Sequence, residues 1–303
     1  MRGRSALLLA LLVALLGLIG AGCGGDDEEG GGGGGGGEQG AQTSTTEARQ
    51  YPADSPLGRI QQAGRITIGV KYDVPPFGFR NPQSGDVEGF DVELGRAIAQ
   101  ELGVEPRFIE AVSDNRIPFL QDGTADLIIS TMTINKERDQ EIDFSTPYYI
   151  ARGRILVPQD SQIQGLEGLA GERVCTALGS TYEETLREQA PQADLRLVDS
   201  YSECLELVQN GAVDAVSTDD VILTGMIIQD ESLKLVGDEL TTEPYGVGIR
   251  QGNRELKQLV DGVVDRYKQD GRWAQSYQRW VGQYTNQEQE PPTMTLQEAL
   301  DLS

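Results

Sequence analysis

Hydrophobic residues follow two different spacings along the chain from about residue 60 onward. Short apolar runs, bounded by Gly, Pro or polar residues, are typical of β-strands. They predict strands over residues 66–70, 107–110, 126–130, 154–158, 173–176, 194–198, 215–218 and 245–250.

Apolar residues at helical spacing separate these strands. Residues 91–102 place apolar side chains on one face at every fourth position, which predicts an amphipathic helix. Ser180 and Ser200 each begin a capping box, a pattern that opens a helix. Two further helices are predicted over 254–267 and, shorter, within 293–303. Strands that alternate with helices predict an α/β architecture.

The N-terminal segment has a different character. Arg2 and Arg4 precede an uncharged apolar stretch, residues 6–19. A bilayer span takes about 20 residues, so this stretch is too short to cross but suits a signal peptide. Together with Cys23 it resembles a bacterial lipoprotein signal, in which residues 1–22 are removed and the cysteine is acylated. The alternative is an incidental or buried cysteine.

Residues 23–50 predict a flexible tether. They hold an acidic run at 26–29, eight consecutive glycines at 30–37 and then a polar stretch. Such a segment has too little apolar surface to offset its ordering entropy. As a Gly-rich coil it would span roughly 28 Å. We therefore expect a folded body held at the outer face of the membrane through a lipid anchor.

Composition excludes several functions. The chain contains no histidine, which removes Ser-His-Asp catalysis, Cys-His catalysis and histidine zinc sites. Its formal net charge of −23 makes nucleic acids and anionic lipid surfaces poor partners. We expect no metal, no cofactor and no catalytic residue.

Two cysteines remain besides Cys23. In an oxidising compartment, Cys175 and Cys204 most simply form one disulfide. The alternative is a pair of unbonded buried thiols.

Several ordered motifs resemble the polar amino-acid family of extracellular solute-binding proteins, which serve ABC importers. The motifs lie at residues 66–70, 75–79, 89–102, 126–133, 137–138, 144–145, 179–181, 211–215, 219, 245–248 and 270–273. Within the family, the chain is most similar to glutamate/aspartate-binding lipoproteins of Gram-positive bacteria. That narrower likeness rests on residues 115–121, 174–175, 201–204 and 218–219.

The resemblance implies a two-lobe, periplasmic-binding-protein-like fold with two crossing hinge strands. Lobe 1 would take residues 51–150 and 245–285, lobe 2 residues 151–244, and 286–303 would form a tail without an assigned role. The lobes would close on a small solute like a hinge. The implied partners are an amino acid and an ABC permease, and the protein would act as a monomer.

The resemblance also implies ligand contacts. Arg138 would hold the α-carboxylate with Thr133 beside it, and Asp219 would receive the α-ammonium group. Further contacts are implied for Ser130, Thr131, Ser180 and Thr181. From spacing alone, Arg138 could instead be solvated, and Asp219 and Ser180 could cap helices.

A second ligand carboxylate would need its own cation, because burial of an unpaired charge is costly. Arg116 is the first candidate and Lys71 the second, although Arg116 could pair with Asp114 at the surface. Val74 and Ser113 stand where binders of basic amino acids carry aromatic residues, which argues against basic ligands. We expect glutamate or aspartate, with glutamine or another polar amino acid as the alternative.

Two other functional classes are compatible with the sequence. One is an enzyme on the same fold, such as a cyclohexadienyl-type dehydratase, which would turn over prephenate or arogenate. The other is a sensor or adhesin lipoprotein that binds no small solute.

Overall fold

The computed structural model describes residues 49–285 and 288–302. The predicted signal peptide (1–22), Cys23 and the tether as far as residue 48 lie outside the described residues. Within the described part of the chain, no helix has the length and apolar character needed to cross a bilayer.

Strands and helices alternate along the described chain, as the sequence predicts. The strands are β1 (Arg65–Val70), β2 (Asp73–Val74), β3 (Gly78–Arg80), β4 (Val87–Glu88), β5 (Glu105–Glu110), β6 (Leu127–Ile128), β7 (Ile142–Phe144), β8 (Tyr149–Pro158), β9 (Arg173–Ala177), β10 (Asp194–Val198), β11 (Ala215–Asp219), β12 (Leu233–Val236), β13 (Thr242–Tyr245) and β14 (Gly248–Arg250). The helices are α1 (Pro56–Ala63), α2 (Phe90–Leu102), α3 (Arg116–Asp122), α4 (Lys136–Asp139), α5 (Thr181–Gln189), α6 (Tyr201–Gln209), α7 (Asp220–Gln229), α8 (Arg254–Gln269), α9 (Arg272–Tyr277), α10 (Gln283–Thr285) and α11 (Leu296–Leu300).

Two main sheets organise the molecule. The first has the order β5-β1-β6-β14-β7, and the second has the order β10-β9-β11-β8-β12. In the first sheet β1 pairs in parallel with β5 and β6, while β14 runs antiparallel to β6 and β7. We call the body built on the first sheet lobe 1 and the body built on the second lobe 2.

Two strands carry the chain between the lobes. Residues of β8 leave lobe 1 and continue into the second sheet, and β13 returns beside them. The two strands pair antiparallel, with Thr242 opposite Arg152 and Tyr245 opposite Tyr149. The predicted two-lobe α/β fold with two crossing hinge strands is therefore confirmed. The domain limits at residues 150 and 244 stay a prediction, supported by the position of both residues within these strands.

Aromatic side chains fill the core on the lobe 1 side of the hinge. Phe77 lies edge-on to Tyr149, with ring centroids 4.9 Å apart, and Trp273 donates to the Tyr148 carbonyl at 2.7 Å. These side chains are all buried. Such packing fixes the hinge strands where they leave lobe 1.

The predicted disulfide is present. Cys175 and Cys204 are bonded to each other and join β9 to α6 inside lobe 2. The alternative of two unbonded thiols is thereby excluded.

The C-terminal segment packs on lobe 1. Its short helix α11 begins with a complete capping box at Thr295 and Glu298, and Ala299 is fully buried. Met294, Leu296 and Leu300 pack against the apolar cluster that underlies α3. This helix lies within the predicted 293–303 segment.

Two local predictions were wrong. The strand predicted over 245–250 is divided into β13, which ends at Tyr245, and β14, which begins at Gly248. Between them the Gly246 amide donates to the Met132 carbonyl at 3.0 Å, as part of an isolated antiparallel bridge between Tyr245 and Thr133. The capping box at Ser180 does not form, since the Ser180 hydroxyl makes no cap hydrogen bond and lies 3.3 Å from the Thr176 hydroxyl. Ser200, in contrast, does cap its helix.

Candidate functional site

Polar residues of both lobes meet across a closed cleft. The Gly179 carbonyl of lobe 2 accepts from Arg116 at 3.2 Å and from Arg138 at 3.1 Å, both on lobe 1. Gly179 has a φ of +71°, and an added Cβ would lie 2.6 Å from the Asp114 Cα. Only glycine fits this close approach without displacing the backbone.

Arg138 points into the cleft. The Asn135 side chain caps α4 by accepting from the Arg138 amide at 2.9 Å, which fixes the start of this short helix. The guanidinium donates to the Thr133 carbonyl at 2.8 Å, and only 8% of the residue is exposed. Burial lowers the pKa of Arg138. The alternative of a solvated surface arginine is therefore excluded.

Arg116, at the start of α3, is 3% exposed and forms hydrogen bonds to the backbone around it. It donates to the carbonyls of Ser113 at 3.0 Å, Ser130 at 3.0 Å and Thr131 at 3.2 Å. Burial, followed by the nearby Arg138 charge, lowers the pKa of Arg116 to about 9. The suggested surface pair with Asp114 is not formed.

Lys71 follows directly after β1 and is 2% exposed. Its Nζ donates to the Ser113 hydroxyl at 2.8 Å and lies 5.6 Å from the ring centroid of Tyr201. Burial, followed by the charge of Arg116, lowers the pKa of Lys71 to about 7. Two of its three N–H groups have no acceptor among the described residues.

These three cations share one property. Within residues 49–285 and 288–302, no carboxylate oxygen lies within 4.0 Å of the side-chain nitrogens of Lys71, Arg116 or Arg138. Buried cations are normally paired, because desolvation is otherwise uncompensated. The lobe 1 wall is therefore suited to bind an anion.

Asp219 lies opposite, at the end of β11 in lobe 2. It is 4% exposed, and its Oδ1 accepts from the Tyr182 hydroxyl at 2.8 Å. Burial, followed by the charge of Glu243, raises the pKa of Asp219 well above its usual range. Asp219 occupies the N-cap position of α7, but its side chain makes no cap hydrogen bond to that helix.

The cleft contains a small cavity between the lobes. Its volume is about 10 Å³, which is room for about one water molecule. The cavity is lined by Ser113, Arg116, Thr131, Thr133, Arg138, Ser180, Thr181, Tyr182, Tyr201 and Asp219.

Seven of the nine residues expected to touch a ligand thus line one cavity. The other two lie just behind its wall. Lys71 contacts the lining residues Ser113 and Tyr201. The Ser130 hydroxyl donates to the Ala111 carbonyl at 2.8 Å, which turns it toward the backbone.

Two buried carboxylates escaped the sequence analysis. Asp91 belongs to the first turn of α2, where acids are common, yet it is fully buried. It accepts from the Tyr148 hydroxyl at 2.8 Å and from the Thr131 amide at 2.9 Å. Burial raises the pKa of Asp91 to about 7. These bonds hold Thr131 in a left-handed conformation with a φ of 44°.

The second is Glu243, on the hinge strand β13 and 3% exposed. Its Oε2 accepts from the Thr133 hydroxyl at 2.6 Å and from the Thr181 hydroxyl at 3.0 Å. The signal that could have found it is its position two residues before the 245–248 motif. No cluster of potential metal ligands occurs among the residues that the structure describes.

Two lobes on crossing hinge strands, with cations on one wall of the cleft and a carboxylate on the other, define a solute-binding protein. The model of family 3 of the bacterial extracellular solute-binding proteins matches residues 66–283. The chain belongs to that family.

Relatives in the family extend over most of the chain. The glutamine-binding ABC transporter protein GlnH of Bacillus subtilis is 37% identical over 80% of this chain and 90% of its own length. The glutamate-binding protein GluB of Corynebacterium efficiens is 33% identical, over 75% of this chain and 81% of its own length.

Solved structures share the fold. An ancestral arginine-binding protein bound to glutamine is 36% identical, with a TM-score of 0.69, over 72% of this chain and 98% of its own. The ancestral amino acid-binding protein AncCDT-1, a precursor of cyclohexadienyl dehydratase, is 34% identical, with a TM-score of 0.70, over 75% of this chain and 99% of its own.

Proposed function

We propose that this protein is the amino-acid-binding component of an ABC importer and binds glutamate in preference to glutamine. The observation that carries the proposal is the set of three buried cations without a carboxylate partner within 4.0 Å among the described residues. The relatives named for glutamine and for glutamate support a ligand of this size.

The common part of an amino acid matches the residues that face each other. Arg138 offers a planar pair of donors to the α-carboxylate, and Asp219 offers a carboxylate to the α-ammonium group. Amides at the start of α5 lack partners within their own helix and add donors for an anion. These groups would bind the α-carboxylate and α-ammonium groups of every α-amino acid alike.

The side-chain carboxylate needs a further cation, and the geometry favours Lys71 over Arg116. Arg116 already donates to four carbonyls, whereas Lys71 has two N–H groups without an acceptor among the described residues. We therefore assign contact with the ligand's second carboxylate to Lys71. Arg116 contributes positive electrostatic potential and holds residues 130–131 in place by hydrogen bonds to their carbonyls.

Binding requires the lobes to separate. The cavity between the lobes, of about 10 Å³, is far smaller than an amino acid. The paired strands β8 and β13 are the natural pivot, because they are the connections between the two sheets in the described chain. The ligand would enter an open form and be enclosed on closure.

The N-terminal segment would attach this protein to the outer face of the membrane through an acylated Cys23. Cys23→Ala should release the protein from the membrane fraction or leave it unprocessed, and mass spectrometry of the exported wild type should detect an acylated cysteine. An unmodified Cys23 with cleavage elsewhere would contradict the anchor.

Calorimetry against the twenty amino acids tests the ligand assignment. Glutamate should bind most tightly, aspartate and glutamine more weakly, and lysine and arginine least. Equal or tighter binding of glutamine would reduce the assignment to a polar amino acid. Incubation with prephenate and arogenate is the control for the dehydratase alternative, and both should be recovered unchanged.

A further inference from the structure

Glu243 forms a junction between the hinge and both lobes. It lies on β13, and one of its carboxylate oxygens accepts hydrogen bonds from two threonine hydroxyls. Thr133 belongs to lobe 1 and Thr181 begins α5 of lobe 2. A single buried oxygen thus joins the two lobes in the closed conformation.

The same two threonines face the ligand cavity. Thr133 and Thr181 line both the small cavity and a wider groove outside it, whereas Glu243 lines only the groove. Both threonines therefore donate to Glu243 and also border the cavity expected to hold the α-carboxylate.

A hydroxyl has one hydrogen and can donate it to one acceptor at a time. Each threonine can therefore donate to Glu243 or to a ligand carboxylate, but not to both. Bonds of 2.6 and 3.0 Å to a carboxylate are charge-assisted and stronger than those to a neutral acceptor. Glu243 is chemically equivalent to the carboxylate that it would compete with.

The charge of Glu243 also acts on Arg138. Burial lowers the pKa of Arg138, and the Glu243 carboxylate is the leading influence in the opposite direction. Its guanidinium meanwhile donates to the Thr133 and Gly179 carbonyls. The Arg138 guanidinium and the two threonine hydroxyls thus already form hydrogen bonds within the protein in the closed form.

We propose that Glu243 is an affinity-determining residue that competes with the ligand's α-carboxylate for the Thr133 and Thr181 hydroxyls and stabilises closure before ligand binds. The part that concerns affinity rests on the proposed amino-acid function, whereas the part that concerns closure does not. Since the α-carboxylate is common to all amino acids, Glu243 lowers affinity for each by the same factor and leaves side-chain preference unchanged.

The test compares Glu243→Gln and Glu243→Ala with Glu239→Gln, a matched change at an exposed glutamate of the same segment. Calorimetry should show about three- to tenfold tighter binding of both glutamate and glutamine in Glu243→Ala, which is the gain expected from regained hydrogen bonds. Glu243→Gln should show a smaller gain, and the ratio of the two affinities should stay constant. Glu239→Gln should match the wild type.

Small-angle scattering without ligand is the second measurement. The wild type should already be compact, whereas both Glu243 variants should have a larger radius of gyration that falls when glutamate is added. Thr181→Val removes the lobe 2 donor and should open the protein in the same way, which keeps the test available should the Glu243 variants not fold. Combined with Glu243→Gln, it should add no further opening.

Weaker binding in the Glu243 variants would overturn the proposal, since it would mean that Glu243 holds the ligand itself. Unchanged affinity together with an unchanged radius would also overturn it. Should the wild type bind no amino acid at all, the proposed function fails, yet the scattering comparison still decides whether Glu243 stabilises closure.

Discussion

The two lobes contribute opposite charges to the cleft. Lobe 1 supplies the buried cations Lys71, Arg116 and Arg138, and lobe 2 supplies the buried carboxylate Asp219. Each wall alone is a desolvated half-site without its counter-ion, which is costly in a closed protein. A zwitterion with an additional carboxylate can neutralise both walls at once. With the proposed ligand, the charge division would link binding to closure.

The lobes also differ in how they are reinforced. Lobe 2 contains the Cys175–Cys204 bond between β9 and α6. Lobe 1 contains no cysteine in its predicted range of 51–150 and 245–285, and the C-terminal helix α11 instead covers its apolar cluster. One lobe is stabilised by a covalent link and the other by an added helix beyond the part that the family model matches.

The largest effect is expected from removal of either member of the α-group pair. Arg138→Ala and Asp219→Ala should each weaken every amino-acid ligand by about 2–5 kcal/mol, because a desolvated charge loses its partner. Calorimetry measures the loss. Arg266→Ala, which removes a surface arginine from a pair with Glu101, is the control and should leave affinity unchanged. A loss restricted to one side chain would contradict the assignment.

Loss of the disulfide should lower stability without loss of binding. Its partners are 29 residues apart, and closure of such a loop stabilises a fold by about 3.5 kcal/mol in the chain-entropy model. Reduction, or the double change Cys175→Ser and Cys204→Ser, should therefore lower the melting temperature while glutamate still binds. Two titratable thiols in the exported native protein would contradict the bond.

The lobe 1 wall should titrate near neutral pH. The pKa of Lys71 is lowered from 10.5 to about 7 in the free protein, and a ligand carboxylate beside it would raise that pKa again. Glutamate binding above pH 7 should therefore take up a proton, and affinity should fall as pH rises, by at most about tenfold per pH unit. Calorimetry in buffers of different ionisation enthalpy measures the uptake, which Lys71→Met should abolish.

The lowered pKa of Lys71 also predicts a change of stability with pH. Stability should rise with pH, whereas glutamate affinity should fall. Between about pH 7 and 10.5 the unfolded chain holds a proton on Lys71 that the folded chain has lost. The contribution of Lys71 to the free energy of unfolding should therefore increase with pH in this window. Denaturant titration of the wild type against Lys71→Met isolates this contribution.

The smallest effect is expected from the C-terminal segment. Truncation after Thr285 removes α11 and exposes the apolar residues beneath it, which should cost about 1–3 kcal/mol of stability. Urea unfolding measures the loss, and Glu298→Ala, which removes only the capping box, should cost less. An unchanged midpoint in both variants would mean that the segment does not stabilise lobe 1.

Local periodicity and the family resemblance together predicted most of the fold, because strands and amphipathic helices depend on short-range sequence pattern. They failed where contacts with residues far away in the sequence determine the local structure. The strand predicted over 245–250 divides where Tyr245 forms a bridge with Thr133, and the Ser180 hydroxyl lies beside the Thr176 hydroxyl instead of capping its helix. No local pattern indicates these partners.

The site was predictable to a similar extent. The resemblance implied Arg138 and Asp219, which line one cavity in the structure. It did not indicate Glu243, whose partners Thr133 and Thr181 lie 110 and 62 residues away along the chain. The hydrogen bonds from Arg116 to backbone carbonyls could not be predicted from the sequence either. They depend on where the fold places residues 113, 130–131 and 179.

The ratio of glutamate to glutamine affinity tests the central claim most directly. Calorimetry at one pH below 7 and one salt concentration should give a ratio of about tenfold or more in the wild type. Lys71→Met should bring the ratio close to one by weakening glutamate alone, whereas Arg116→Gln should weaken both ligands because it loosens residues 130–131. A wild-type ratio of one, or a ratio unaffected by Lys71→Met, would contradict the assignment of the lobe 1 cations to an acidic ligand.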